Sequence, residues 1–155
     1  MVQESLSEAE NQGKKDDASK SKEKEAEAHF VKGNEYKTAG QSAKALEEYS
    51  KVIELKQNHS GVYFNRGNLY KSMGESKKAL LDYDKAIELK PDHASAYYNR
   101  ANLHKSLKER QLALEGYNKT IELKPDHAKA YDNRGLMYYF LKDYEKALES
   151  FNKSI

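Results

Sequence analysis

Residues 60–93 read SGVYFNRGNLYKSMGESKKALLDYDKAIELKPDH, and residues 94–127 read ASAYYNRANLHKSLKERQLALEGYNKTIELKPDH. The two stretches align without a gap, and the pattern continues in both directions. Glu-Leu-Lys recurs at Glu54, Glu88 and Glu122, Asn-Arg at Asn65, Asn99 and Asn133, and histidine at His59, His93 and His127, every interval being 34 residues. One period therefore governs the chain. With Ala26 as position 1, the repeats span 26–59, 60–93, 94–127 and 128–155, the last stopping at position 28. Residues 1–25 lie outside the pattern, hold no aromatic residue and have only Val2 and Leu6 as large aliphatics. They are expected to form a disordered charged tail, helical near Ala26.

Within each repeat the apolar spacing is helical and broken twice. Positions 4, 8 and 11 (Tyr63, Gly67 and Tyr70; Tyr131, Gly135 and Tyr138) fall on one helical face. A break follows near Gly40 and Gly74. Positions 20, 21, 24 and 28 (Ala79, Leu80, Tyr83, Ile87) form a second stripe, which ends at Lys-Pro, where proline cannot continue a helix. Each repeat thus reads as a helical hairpin. Small residues at position 8 (Gly33, Gly67, Ala101, Gly135) and position 20 (Ala45, Ala79, Ala113, Ala147) let the two helices approach, with Tyr or Phe at position 24 filling the space beside them. No hairpin can bury its stripe alone, so neighbours must stack.

The chain has 155 residues, 37% hydrophobic and 34% charged, with a mean hydropathy of -1.03. No apolar run approaches the roughly 18 residues of a membrane span. The N-terminus lacks the apolar region of a secretory signal, and the absence of cysteine removes disulfides, thiolate metal sites and cysteine nucleophiles. A cytoplasmic location is expected, with the nucleus also open. Residues 1–25 carry seven acids and five lysines, a charge of -2, which leaves +4 on the remainder. Lys and Glu are interspersed rather than gathered into a basic stripe, so neither a nucleic acid nor a membrane is an expected partner.

On these residues the chain resembles a tetratricopeptide-repeat (TPR) array, over about 130 residues and including Pro91 and Pro125 at position 32. The resemblance implies an all-α, right-handed solenoid of about three and a half to four helical hairpins that binds other proteins. Departures are His29 at position 4, His104 at position 11, Gln57 for the first proline, and Thr120 and Ser154 at position 27; each is expected to loosen packing locally.

Positions 2, 6, 9 and 13 lie opposite the packing face, within about 60° of one another. In the family that the chain resembles, this side of the first helices lines a concave groove that takes extended peptides. Six of the eight residues at positions 6 and 9 are asparagines: Asn34, Asn65, Asn68, Asn99, Asn102 and Asn133. Asparagine is a poor helix former, and a primary amide matches the C=O and N–H of a peptide unit, so a ladder of amides is expected to hold a peptide backbone. Duplication alone would also copy these residues. Phe64 and Tyr98 at position 5, and Lys129 at position 2, complete the expected central groove.

The resemblance also raises the carboxylate clamp of co-chaperones, which grips acidic chaperone tails with Lys at position 5 and Asn at 9, then Asn at 6, then Lys at 2 and Arg at 6. Starting at the first repeat, Asn34 and Asn65 fit, while Phe30, Ser95 and Asn99 replace the three cations. Starting at the second, Asn68, Asn99 and Lys129 fit, but Phe64 and Asn133 do not. With one cation of three, a chaperone tail stays an alternative partner only through a degenerate clamp.

Leu136, Tyr139 and Phe140 place apolar side chains at the C-terminal end of the groove, as an aromatic anchor or as a dock for further chain. Ala147, Leu148, Phe151 and Ile155 would meet a further helix or their own hairpin partner, so part of their apolar surface is expected to be left without a cover, which suggests a longer array or a homodimer through this end. A structural self-association module is therefore the rival reading. The histidines at position 34 are too far apart to share a metal and read as turn residues. No triad spacing and no phosphate-cradling loop occurs, so neither enzymatic activity nor a cofactor is expected.

Overall fold

The structure is a computed structural model that describes the backbone of residues 2–154 and the side chains of residue 12 and residues 16–154. Among the described residues there are eight helices and no strand: α1 (Val2–Thr38), α2 (Ser42–Leu55), α3 (Ser60–Ser72), α4 (Ser76–Leu89), α5 (Ala94–Ser106), α6 (Arg110–Leu123), α7 (Ala128–Phe140) and α8 (Tyr144–Asn152). The fold is an all-α helical repeat.

Two kinds of turn punctuate it. Inside the hairpins the residue that reverses the chain has positive φ: Gly40 (73°), Gly74 (77°), Lys108 (62°) and Lys142 (64°). Glycine reaches that region without strain, whereas lysine does not. Between hairpins, Lys90 (φ -140°, ψ 87°) and Lys124 (φ -139°, ψ 84°) take the extended backbone that a following proline demands. Lys56 adopts nearly the same angles (φ -145°, ψ 89°) although Gln57 follows it, so this departure leaves the turn intact.

The chain divides into two compact units, residues 1–62 and 63–155. In the first, Ala45, Tyr49 and Val52 of α2 are fully buried, and a Cβ on Gly33 would stand 2.6 Å from the Tyr49 ring. His29 does not loosen this hairpin. Its Nδ1 lies 2.6 Å from Oε2 of the buried Glu48, and that hydrogen bond holds the Glu48 carboxyl below its ordinary range. The disordered tail is also corrected, because α1 runs back to Val2. Glu, Lys, Gln and Ala predominate there, and these residues lose little entropy in a helix. Glu23 pairs with Lys56 at the end of α2, although the side chains of residues 16–25 are exposed.

In the second unit, one core cluster joins Ala79 and Tyr83 of α4 to Leu103 of α5. Another joins Ala101, Ala113, Leu114 and Tyr117 to Met137 of α7. Position 10, with Leu69, Leu103 and Met137, is therefore a core position that the sequence reading passed over. The arginine at position 7 closes the second and fourth hairpins from the other side. Arg66 donates to both oxygens of the buried Asp82 at 2.7 and 2.8 Å while lying over the rings of Tyr63 and Tyr70, and Asp82 raises the guanidinium pKa above its ordinary value. In the third hairpin Gly116 replaces the acid and Arg100 turns to Asp84, and in the fourth Arg134 donates to Ser150 Oγ at 3.0 Å. Thr120 is buried and donates to Gly116 O at 2.8 Å, which settles its hydroxyl inside the helix pair.

Candidate functional site: an amide and lysine face

The asparagines at position 9 face inward with their oxygens. The Tyr49 hydroxyl donates to Asn34 Oδ1 at 2.7 Å, that of Tyr83 to Asn68 Oδ1 at 2.8 Å, and that of Tyr117 to Asn102 Oδ1 at 2.7 Å. These three tyrosines are fully buried, and burial pushes the Tyr83 and Tyr117 hydroxyls above the usual tyrosine range. A buried hydroxyl requires a partner, and position 9 supplies it. A signal for this was present in the sequence. The fourth repeat has Phe151 in place of the tyrosine, and it also has Leu136 in place of the asparagine.

Position 6 extends the relay to the next hairpin. Asn99 Nδ2 donates to Asn68 Oδ1 at 2.8 Å, and Asn133 Nδ2 donates to Asn102 Oδ1 at 3.3 Å and to the Tyr98 hydroxyl at 3.1 Å. At the end of the relay, Lys105 Nζ donates to Asn133 Oδ1 at 2.7 Å. An ammonium has no acceptor, so it fixes the Asn133 oxygen toward itself and the Asn133 nitrogen toward Asn102. The Asn102 oxygen is then turned to Tyr117 and Asn133, and its Nδ2 is left for a ligand. Asn68 has the same arrangement, and no other described group reaches either Nδ2.

Phe64 and Tyr98 belong to ring clusters. Phe64 lies 6.2 Å from the Tyr83 ring and 4.7 Å from His93, and Tyr98 lies 5.9 Å from Tyr117 and 4.6 Å from His127, centroid to centroid. Phe30 repeats this with Tyr49 and His59 in the first unit. The histidines at position 34 are thus packing partners as well as turn residues. His59 and His127 cap the next helix, Nδ1 accepting from Val62 N and Ala130 N, each at 3.2 Å. Partial burial, and secondarily Lys90, lower the His93 pKa.

The remaining expected site residues are open to solvent. Lys129 is exposed on α7, four residues before Asn133, without a carboxylate in reach among the described residues. Leu136, Tyr139 and Phe140 are 39%, 55% and 54% exposed, with Tyr139 edge-on to both Phe140 and Tyr144 and Arg110 over the Phe140 ring. Ala147 is buried and Phe151 half-buried, its ring against Gly135, while Leu148 is 62% exposed; Ile155 lies outside the described residues. The expected uncovered surface thus falls on Leu148 and not on Ala147, which is buried.

The helical hairpins with their inward-facing asparagines define an interaction repeat, and comparison gives the family. Tetratricopeptide-repeat families match residues 61–93 and 92–155, and a TPR repeat matches 33–74. The chain belongs to the tetratricopeptide-repeat family. Among solved structures it is similar to MamA (27% identity, TM-score 0.80, covering 95% of this chain and 90% of that one). It is also similar to a tetratricopeptide repeat protein from Parabacteroides merdae ATCC 43184 (26%, TM-score 0.79, 84% and 52%). The first TPR of Spaghetti (RPAP3), bound to HSP90 peptide SRMEEVD, shares the fold (23%, TM-score 0.73, 77% and 94%). No curated protein matches the sequence. The repeats make the chain a protein–protein interaction scaffold. Among the described residues no helix is long and apolar enough to cross a membrane.

Proposed function

We propose that this scaffold is an adaptor that takes an extended peptide segment along the face carrying Asn68, Asn99, Asn102 and Asn133. The observation that carries this reading is the orientation of Asn102. Its oxygen is held by Tyr117 and Asn133, and among the described residues no hydrogen bond takes up its Nδ2. A preorganised donor binds a backbone carbonyl without the entropy loss of fixing a mobile side chain. The chaperone-tail alternative has less support, because Phe30 and Phe64 occupy position 5 of the two frames as packed rings rather than as cations.

The test is a titration of the isotope-labelled chain with peptides selected from an array, followed by NMR. Binding in the groove shifts the side-chain amide signals of Asn68 and Asn102, and Asn102→Asp, which keeps the oxygen for Tyr117 and loses the donor, weakens it. Shifts confined to α4 and α6 would overturn the reading.

A further inference from the structure

The same face has a charge character that sets the class of its ligand. α3, SGVYFNRGNLYKS, and α5, ASAYYNRANLHKS, contain no Asp or Glu, in a chain with 25 acids. Their arginines turn away from the amides. Arg66 is paired with Asp82 and Arg100 with Asp84, both on α4. The lysines at position 12, one turn beyond the position 9 asparagines, have no carboxylate in ion-pair reach among the described residues. Lys105 is bound only to the Asn133 amide oxygen. Lys71 is exposed, with Lys105 as its charged neighbour; partial desolvation, then repulsion from Lys105, lowers its pKa.

The amides reinforce this polarity. Oxygens that could have accepted from a ligand are consumed inside the relay, at Asn68 by Tyr83 and Asn99, and at Asn102 by Tyr117 and Asn133. What Asn68 and Asn102 leave over is N–H, beside the two ammoniums. Two such donors and two cations without a carboxylate favour a ligand rich in acceptors and in negative charge.

We infer that the α3–α5 face recognises an extended acidic peptide through side-chain carboxylates, seated between Lys71 and Lys105 beside the Asn68 and Asn102 amides. This inference rests on the groove reading above and adds the ligand's class. The carboxylates are those of Asp or Glu within the segment, so a free C-terminus is not required.

Three N-acetylated, C-amidated fluorescent decapeptides test it by anisotropy: alternating Glu-Ser, Gln-Ser and Lys-Ser. The Glu peptide binds about tenfold or more tightly than the Gln peptide, the Lys peptide binds weakest, and the preference shrinks with added salt. Lys71→Gln with Lys105→Gln loses about tenfold for the Glu peptide, and the double Arg variant restores it. Lys85→Gln, whose ammonium sits on Glu88 of α4, binds as the parent does.

Equal affinity for the Glu and Gln peptides, with the Asn102 amide signal still shifting, overturns the acidic preference and leaves the groove reading in place. No amide shift with any of the three overturns the groove reading itself. A Glu peptide that binds only as the free acid overturns the internal-carboxylate assignment in favour of terminal recognition.

Discussion

The Tyr117 hydroxyl is enclosed by protein, and Asn102 provides its acceptor. Asn102→Ala leaves that hydroxyl unsatisfied and should lower the unfolding free energy by about 1–3 kcal/mol in urea denaturation. Asn102→Asp retains an oxygen there and should cost less. Loss of binding in an alanine variant therefore has to be separated from loss of fold. Lys108 is held at φ 62°, where the first two repeats have glycine. Lys108→Gly should raise stability by about 0.5–1 kcal/mol, relief of left-handed strain outweighing the extra unfolded-state entropy, and a higher urea midpoint is the readout. The repeated asparagines were legible as a pattern, but their tyrosine partners were not. The two residues sit on different helices 15 positions apart, and only the paired loss at Leu136 and Phe151 hints at the bond.

Hairpin closure depends on contacts too short to admit a methyl group. A Cβ on Gly135 would meet the Phe151 ring at 2.6–2.9 Å, so Gly135→Ala should destabilise by about 1–3 kcal/mol, and Phe151→Leu should recover part of it in a double-mutant cycle. His93, stacked on Phe64 between α4 and α5, has a lowered pKa. The folded state then binds a proton less readily than the unfolded chain. Stability should fall as the pH drops below about 6.5 and level off once the pH is under the lowered folded value. His93→Phe keeps the ring and removes the titration, so thermal melts between pH 7.5 and 5.5 should show a smaller decrease for the variant. Both helices of each repeat were readable from the apolar period and the Gly and Pro breaks. The buried row at Leu69, Leu103 and Met137 was missed, since it falls outside the 4, 8, 11 stripe; Leu103 and Met137 pack on the hairpin before their own. The N-terminal part of α1 was missed because its helix lacks an apolar stripe and rests on propensity, with the Glu23–Lys56 pair at its side.

At the scale of the whole molecule, the core clusters described for residues 63–155 join helices that are adjacent or next but one in sequence. Such local contacts close small loops, and the chain should refold in milliseconds or faster once any slow proline phase is set aside; stopped-flow circular dichroism would measure it. A dominant phase slower than about a second would contradict that picture. The repeat architecture was plain from the 34-residue period, whereas the division into residues 1–62 and 63–155 has no counterpart in that pattern, which crosses the boundary without a break.

The inward turn of the Asn68 and Asn102 oxygens has a consequence for crowding. Two copies of this face brought together would oppose the remaining N–H groups and the Lys71 and Lys105 ammoniums of one to those of the other. The surface is in that respect self-avoiding: it stays vacant among its own kind at high concentration and remains open to a ligand of the opposite polarity.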